Sequence, residues 1–250
     1  MRSYALTYPQ LINQAIATGM SDDDLARLKQ AYEFTERMTD GLYRAQGVPF
    51  SCHLVRCGSI VMATRQPVHV VMTAMVHAAY RLDRFRDSRR RRFRPGRGAQ
   101  VRRALGEDVE RLLSAYEELP WYSTDALDRH LASLDDAGEL TRQALVMRLG
   151  DELDDALDLA MAYLGEDDVH VRVARYGDRC VELARRLGLP ELEAEFHEVE
   201  REYRERRIPQ VVKVHRNRGY ERSRKHLWEM STLEGWLLAA ARRVHRRLRG

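Results

Sequence analysis

Apolar residues return every three or four positions along nearly the whole chain, the spacing of an α-helix with its period of about 3.6 residues. The best candidate for a strand is the short run Val211-Val212-Lys213-Val214. A chain with this one period must build its core by burying helical stripes against one another. The expected fold is therefore all-α. At 250 residues, 44% of them apolar, the chain suits one large helical domain or a domain with a helical appendage.

Punctuation divides the pattern into elements. Ser21 and Asp24 form a capping signal for a helix through Leu25, Leu28, Ala31, Tyr32 and Met38 that ends near Gly41–Gly47. Pro49 opens the next helix. Pro67 begins PVHVVMTAMVHAAY, apolar nearly all round and therefore expected at the centre. Helices are further expected over 99–119, around 124–134, over about 137–164, and near 168–187 and 190–206. Pro209 marks a shift in composition. Residues 1–206 read as one helical domain, and 207–250 as a basic linker and a final amphipathic helix with an apolar stripe including Trp228, Trp236 and Leu237. That stripe either packs back on the domain or pairs two copies, which leaves the oligomeric state open.

Several classes are excluded by composition. Three cysteines, Cys52, Cys57 and Cys180, with no CxxC spacing, argue against a disulfide framework or zinc finger and fit a reducing cytoplasm. No run of eighteen apolar residues exists, so no membrane partner is expected. Of the 42 basic residues all but three are arginine, a bias that reflects genome composition as much as function, so it is weak evidence for nucleic acid.

Three patches can carry chemistry. The turn Arg44-Ala45-Gln46-Gly47-Val48-Pro49-Phe50 places His53 in the first turns of the helix that follows. His77 lies at the end of the most apolar helix, with Tyr80 one turn beyond and Asp83 close by. Arg148-Leu149-Gly150-Asp151-Glu152-Leu153-Asp154-Asp155 puts four carboxylates inside the long helix. Each has an ordinary reading as well. A buried histidine is commonly a hydrogen-bonded core residue, and an acidic run is commonly a solvated face.

Together and in this order, the R-x-x-G-x-P-F-x-x-H turn, the buried helix ending His-x-x-Tyr and the later Leu-x-Asp-x-Leu helix resemble the hydrolase domain of the RelA/SpoT alarmone enzymes, a branch of the HD superfamily. The resemblance covers about residues 28–165 and implies an HD-domain-like helical bundle with a C-terminal helical extension. It implies His53, His77 and Asp151 as metal ligands, with Arg44 and Asp155 holding a nucleotide. Ala78 stands where that family carries its hallmark aspartate, and Arg81 and Leu82 stand where it carries an acidic pair.

What remains is two imidazoles and a carboxylate, a set suited to a mononuclear Mn, Fe or Zn centre. The leading expectation is a metal-dependent hydrolase for a phosphorylated or nucleotide-like small molecule. Tyr80 and Asp83 are its candidate catalytic groups, and Arg44, Arg148 and Asp155 its candidate substrate-binding groups. A nucleotide-binding module without turnover and a non-haem iron oxygenase are the alternatives at the same site. The arginine-rich segment 84–103 offers guanidiniums for a phosphate. With the basic C-terminal segments it also makes RNA a possible partner.

Overall fold

A computed structural model describes residues 3–44, 47–86, 96–163, 168–206 and 208–212, with the side chains of 83–97, 160–161, 164–175 and 210 outside that set. The described chain is all-helical. In order it forms α1 (Tyr8–Ala17), α2 (Asp22–Thr39), α3 (Phe50–Ala63), α4 (Val68–Val76), α5 (Ala79–Arg86), α6 (Gly96–Leu105), α7 (Glu107–Glu118), α8 (Thr124–Ala132) and α9 (Glu139–Ala156). A single 3-10 turn, Leu157–Leu159, leads to α10 (Ala160–Tyr163), α11 (Asp168–Arg186) and α12 (Pro190–Glu205). The run that was the best strand candidate starts inside a second 3-10 turn, Gln210–Val212. The C-terminal helix and most of the linker before it lie outside the described residues, as does the centre of the arginine-rich segment.

Helix starts follow the expected chemistry. Ser21 caps α2, its hydroxyl accepting from the Asp24 amide at 3.2 Å, and Asp22, Asp23 and Asp24 complement the positive end of the helix. Before α3 the chain doubles back: Arg44 N donates to Val48 O and Phe50 N to Leu42 O, each at 2.9 Å, with Gly47 supplying the positive φ of 78°. This returns the start of α3 to the side of Arg44.

The core lies around α4, whose residues Val70 to Val76 are all buried and which packs against α2, α3, α7 and α9. Two glycines let the helices carrying the candidate ligands approach. A Cβ on Gly58 of α3 would stand 2.5 Å from Met75 Cγ, and one on Gly150 of α9 would stand 3.0 Å from Val61 Cγ2. The pair α11 and α12 covers α8 and the far side of α9.

Three expected helices are broken. The central one stops at Val76 and restarts at Ala79. There the last-turn carbonyls take side-chain donors: Thr35 Oγ1 to Met75 O and His77 Nδ1 to Ala74 O, both 2.8 Å. The helix expected over 99–119 divides at Gly106, whose φ is 104°. The long helix expected to reach 164 ends at Ala156, where Asp158 and Leu159 take positive φ and Arg56 Nη1 holds Asp158 at 2.9 Å.

Candidate metal centre

α3, the α4 terminus and α9 bring His53, His77 and Asp151 together. Both imidazoles are buried, their ring centroids 5.1 Å apart and nearly perpendicular at 88°. Each presents Nε2 to the same oxygen, Asp151 Oδ1, at 3.5 Å.

The partners on the other side of each ring decide which atoms face inward. His53 Nδ1 lies 2.6 Å from Asp154 Oδ2, and His77 Nδ1 lies 2.8 Å from the Ala74 carbonyl. A carbonyl can only accept, so His77 Nδ1 carries the proton and its Nε2 carries the lone pair. Ionised Asp154 imposes the same tautomer on His53. Burial works against that ionisation, but His53, Arg56 and Arg44 together hold the Asp154 carboxyl below the usual carboxylate range. The second oxygen of Asp151 accepts from Tyr116 Oη at 2.8 Å. All three candidate ligands thus have their remote atoms bonded to protein and their free lone pairs turned to one point. That is the support expected behind metal ligands.

Charge states agree with the geometry. Burial lowers the His77 pKa to about 4, aided by His53 and Arg81 and opposed by Asp151, so the ring is neutral at pH 7. Burial pushes the Asp151 carboxyl up, but His77, His53, the Tyr116 hydroxyl and Arg148 outweigh it and hold it well below the ordinary range. The neutral His77 Nε2 thus faces the anionic Asp151 oxygen, and His53 Nε2 stands at the same 3.5 Å from that oxygen. Ligands about 2.1 Å from a cation at near-tetrahedral angles stand about 3.4 Å apart, so the 3.5 Å separations suit a shared ion.

Cys57 borders the cluster. It is buried one turn after His53, and one ligand atom from each of His53, Cys57, His77 and Asp151 falls within a 4.8 Å group. Its Sγ also lies 3.6 Å from His53 Nδ1, the ring atom bonded to Asp154. Burial, with Asp154 and Asp151 adding to it, pushes the thiol pKa well up. The spacing His53-x-x-x-Cys57, which puts both residues on one face of α3, is the sequence signal for this thiol, and it is distinct from a CxxC pair.

The other candidate residues fall differently. Arg44 and Asp155 are ion-paired to each other, and Arg44 also reaches Asp154 at 3.7 Å, so they form the rim next to His53. Arg148 is buried, donating to the Tyr116 carbonyl at 2.7 Å with its guanidinium 3.7 Å from the Tyr116 ring centroid. Tyr80 does not share the His77 face as expected, because the break at His77–Ala78 intervenes. Its hydroxyl donates to Glu110 at 2.9 Å, and Tyr116 of α7 is the tyrosine that touches Asp151. The Asp83 side chain lies outside the described residues. Ala78 is buried beside the helix break.

No protein-family model matches the chain, and a comparison with curated proteins gave no significant match. No helix among the described residues is long and apolar enough to cross a membrane.

Proposed function

We propose that this chain is a cytoplasmic metal-dependent enzyme of HD-like architecture that hydrolyses a phosphorylated or nucleotide-like small molecule. The observation that carries the reading is the pair of imidazole lone pairs facing one oxygen of Asp151, 3.5 Å from each, with every remote ligand atom already engaged. The RelA/SpoT-like order of the three motifs supports it independently, as that resemblance implies the same three ligands. Free thiols at Cys52 and Cys57 fit a reducing compartment.

A divalent Mn, Fe or Zn ion at this point would supply Lewis acidity for hydrolysis. His53, His77 and Asp151 would hold it, with Asp154, the Ala74 carbonyl and Tyr116 fixing the orientation of those side chains. Arg44 and Asp155, part-exposed beside the centre, form the rim that a substrate meets.

One observation favours a second reading, recognition without turnover. The carboxylates next to the centre, Asp154 and Asp155, are both tied to arginines, which leaves neither as a free proton acceptor. A single experiment separates the two. Metal-loaded protein is incubated with nucleoside polyphosphates and phosphomonoesters, and released phosphate and pyrophosphate are measured. Release that depends on metal and is lost in Asp151→Asn is the expected result. Thermal stabilisation without release, about 2.7 kcal/mol at a hundredfold excess over Kd, favours the sensor. Neither release nor stabilisation contradicts both.

A further inference from the structure

Beside the ring of Tyr116, whose hydroxyl donates to Asp151, lie two arginines. Arg148 Nη1 is 3.5 Å and Arg81 Nη1 2.9 Å from a single oxygen, the hydroxyl of Tyr122. Both guanidiniums lie near the Tyr122 ring, 5.7 and 5.8 Å from its centroid. Arg148 is 2% exposed, forms no ion pair among the described residues, and leaves its Nε without a hydrogen-bond partner. Arg81 has one carboxylate partner, Glu117, at 3.0 Å from Nε. Two cations thus converge on a neutral phenol, with one direct counter-charge between them.

A buried guanidinium is expensive to retain without an anion, and stability alone is served as well or better by an apolar side chain. Asp151 offsets part of the Arg148 charge, an offset that a divalent cation on Asp151 would reduce. Two arginine forks aimed at one oxygen match the geometry by which guanidinium pairs grip a phosphoryl group. Tyr122 is 58% exposed, so its hydroxyl can swing out of the fork without disturbing the core.

We infer that Arg81 and Arg148 form a phosphoryl-binding fork, occupied by the Tyr122 hydroxyl in the free protein and by an oxyanion of the substrate when bound. The inference deepens the metal-enzyme reading by placing the anion one tyrosine ring away from the metal ligands. It gives Arg81, which stands where the resembling family has an acid, a role in binding.

The test is calorimetric titration of the full chain with inorganic phosphate, with and without chelator. Arg81→Gln removes the more exposed member of the fork and is expected to raise the phosphate Kd at least about tenfold, the loss typical of a charge-assisted hydrogen bond. Tyr122→Phe keeps the ring but vacates the fork, and is expected to lower the Kd several-fold. Arg148→Lys keeps the charge and loses the planar fork, so it should weaken binding if circular dichroism shows the helices intact. Phosphate binding that persists in chelator and in His53→Ala, yet falls in Arg81→Gln, supports the fork even if the metal reading fails. Absence of saturable binding to the unaltered chain overturns the inference. So does an unchanged Kd in both Arg81→Gln and Tyr122→Phe, or binding that is lost with chelator but indifferent to Arg81.

Discussion

The centre of the molecule and its outer layer spend polar residues in opposite ways. Between α3, α4 and α9, histidines, carboxylates and arginines are buried and each is held by a specific partner, as in Asp154–His53 at 2.6 Å and Tyr116–Asp151 at 2.8 Å. On α8, α11 and α12 the charges pair at the surface: Arg179 with Asp128 at 2.7 Å, Arg185 with Glu182 at 2.6 Å, Arg201 with Glu198 at 2.5 Å. Exposed pairs are screened and contribute little. Buried networks cost more to assemble than an apolar core of the same volume. α12 also buries two carboxylates, Glu195 and Glu200, but the contacts between histidine and carboxylate lie on α3, the end of α4 and α9, and it is there that the proposed chemistry would sit.

The sharpest way to break the comparison is to separate the helices that carry the ligands. Gly150→Val drives new atoms into Val61, whose γ-carbon already stands 3.0 Å from the position of a Cβ. Overpacking of this kind costs about 1–3 kcal/mol. A lower Tm together with loss of bound metal is expected, read by thermal melting and elemental analysis. Next in size is Tyr116→Phe, which keeps the ring but releases Asp151 Oδ2. Metal affinity should fall by about 10–100-fold with helicity unchanged, measured by competition with a chromophoric chelator.

Cys57→Ser should act more weakly. The Cys57 contact to His53 falls on Nδ1, the atom already bonded to Asp154, so less than about a tenfold loss of metal affinity is expected from the same competition. A larger loss, confined to zinc, would make the thiol a fourth ligand. The smallest effect belongs to the outer layer. Asp128→Asn removes a carboxylate that pairs with Arg179 at the surface and should shift Tm by less than about 2 °C, with metal content untouched. A large shift there would erase the distinction between the two regions.

Much of the fold was legible because the helical period is a local property. The capped start of α2, the Pro49 entry to α3 and the limits of α12 all follow from neighbouring residues. The breaks were less legible, because their causes are distant. α4 ends at Val76 where Thr35, forty positions earlier, donates to the Met75 carbonyl. At the site, the three candidate ligands could be named from their motifs and come together as that naming requires. Their supports could not be named. In the sequence Asp154 is one charge in an acidic run, and nothing singles out Tyr116. Only packing shows that the first faces His53 and the second Asp151. Tyr80 falls against Glu110 for the same reason, since nothing local in the sequence marks the break between Val76 and Ala79.

The most direct test of the metal centre is elemental analysis of protein purified without chelator, set beside His53→Ala and Asp151→Asn. About one equivalent of Mn, Fe or Zn in the unaltered chain and little in either variant is the predicted result. Equal metal content in all three proteins, or none in any after incubation with each ion, would contradict it.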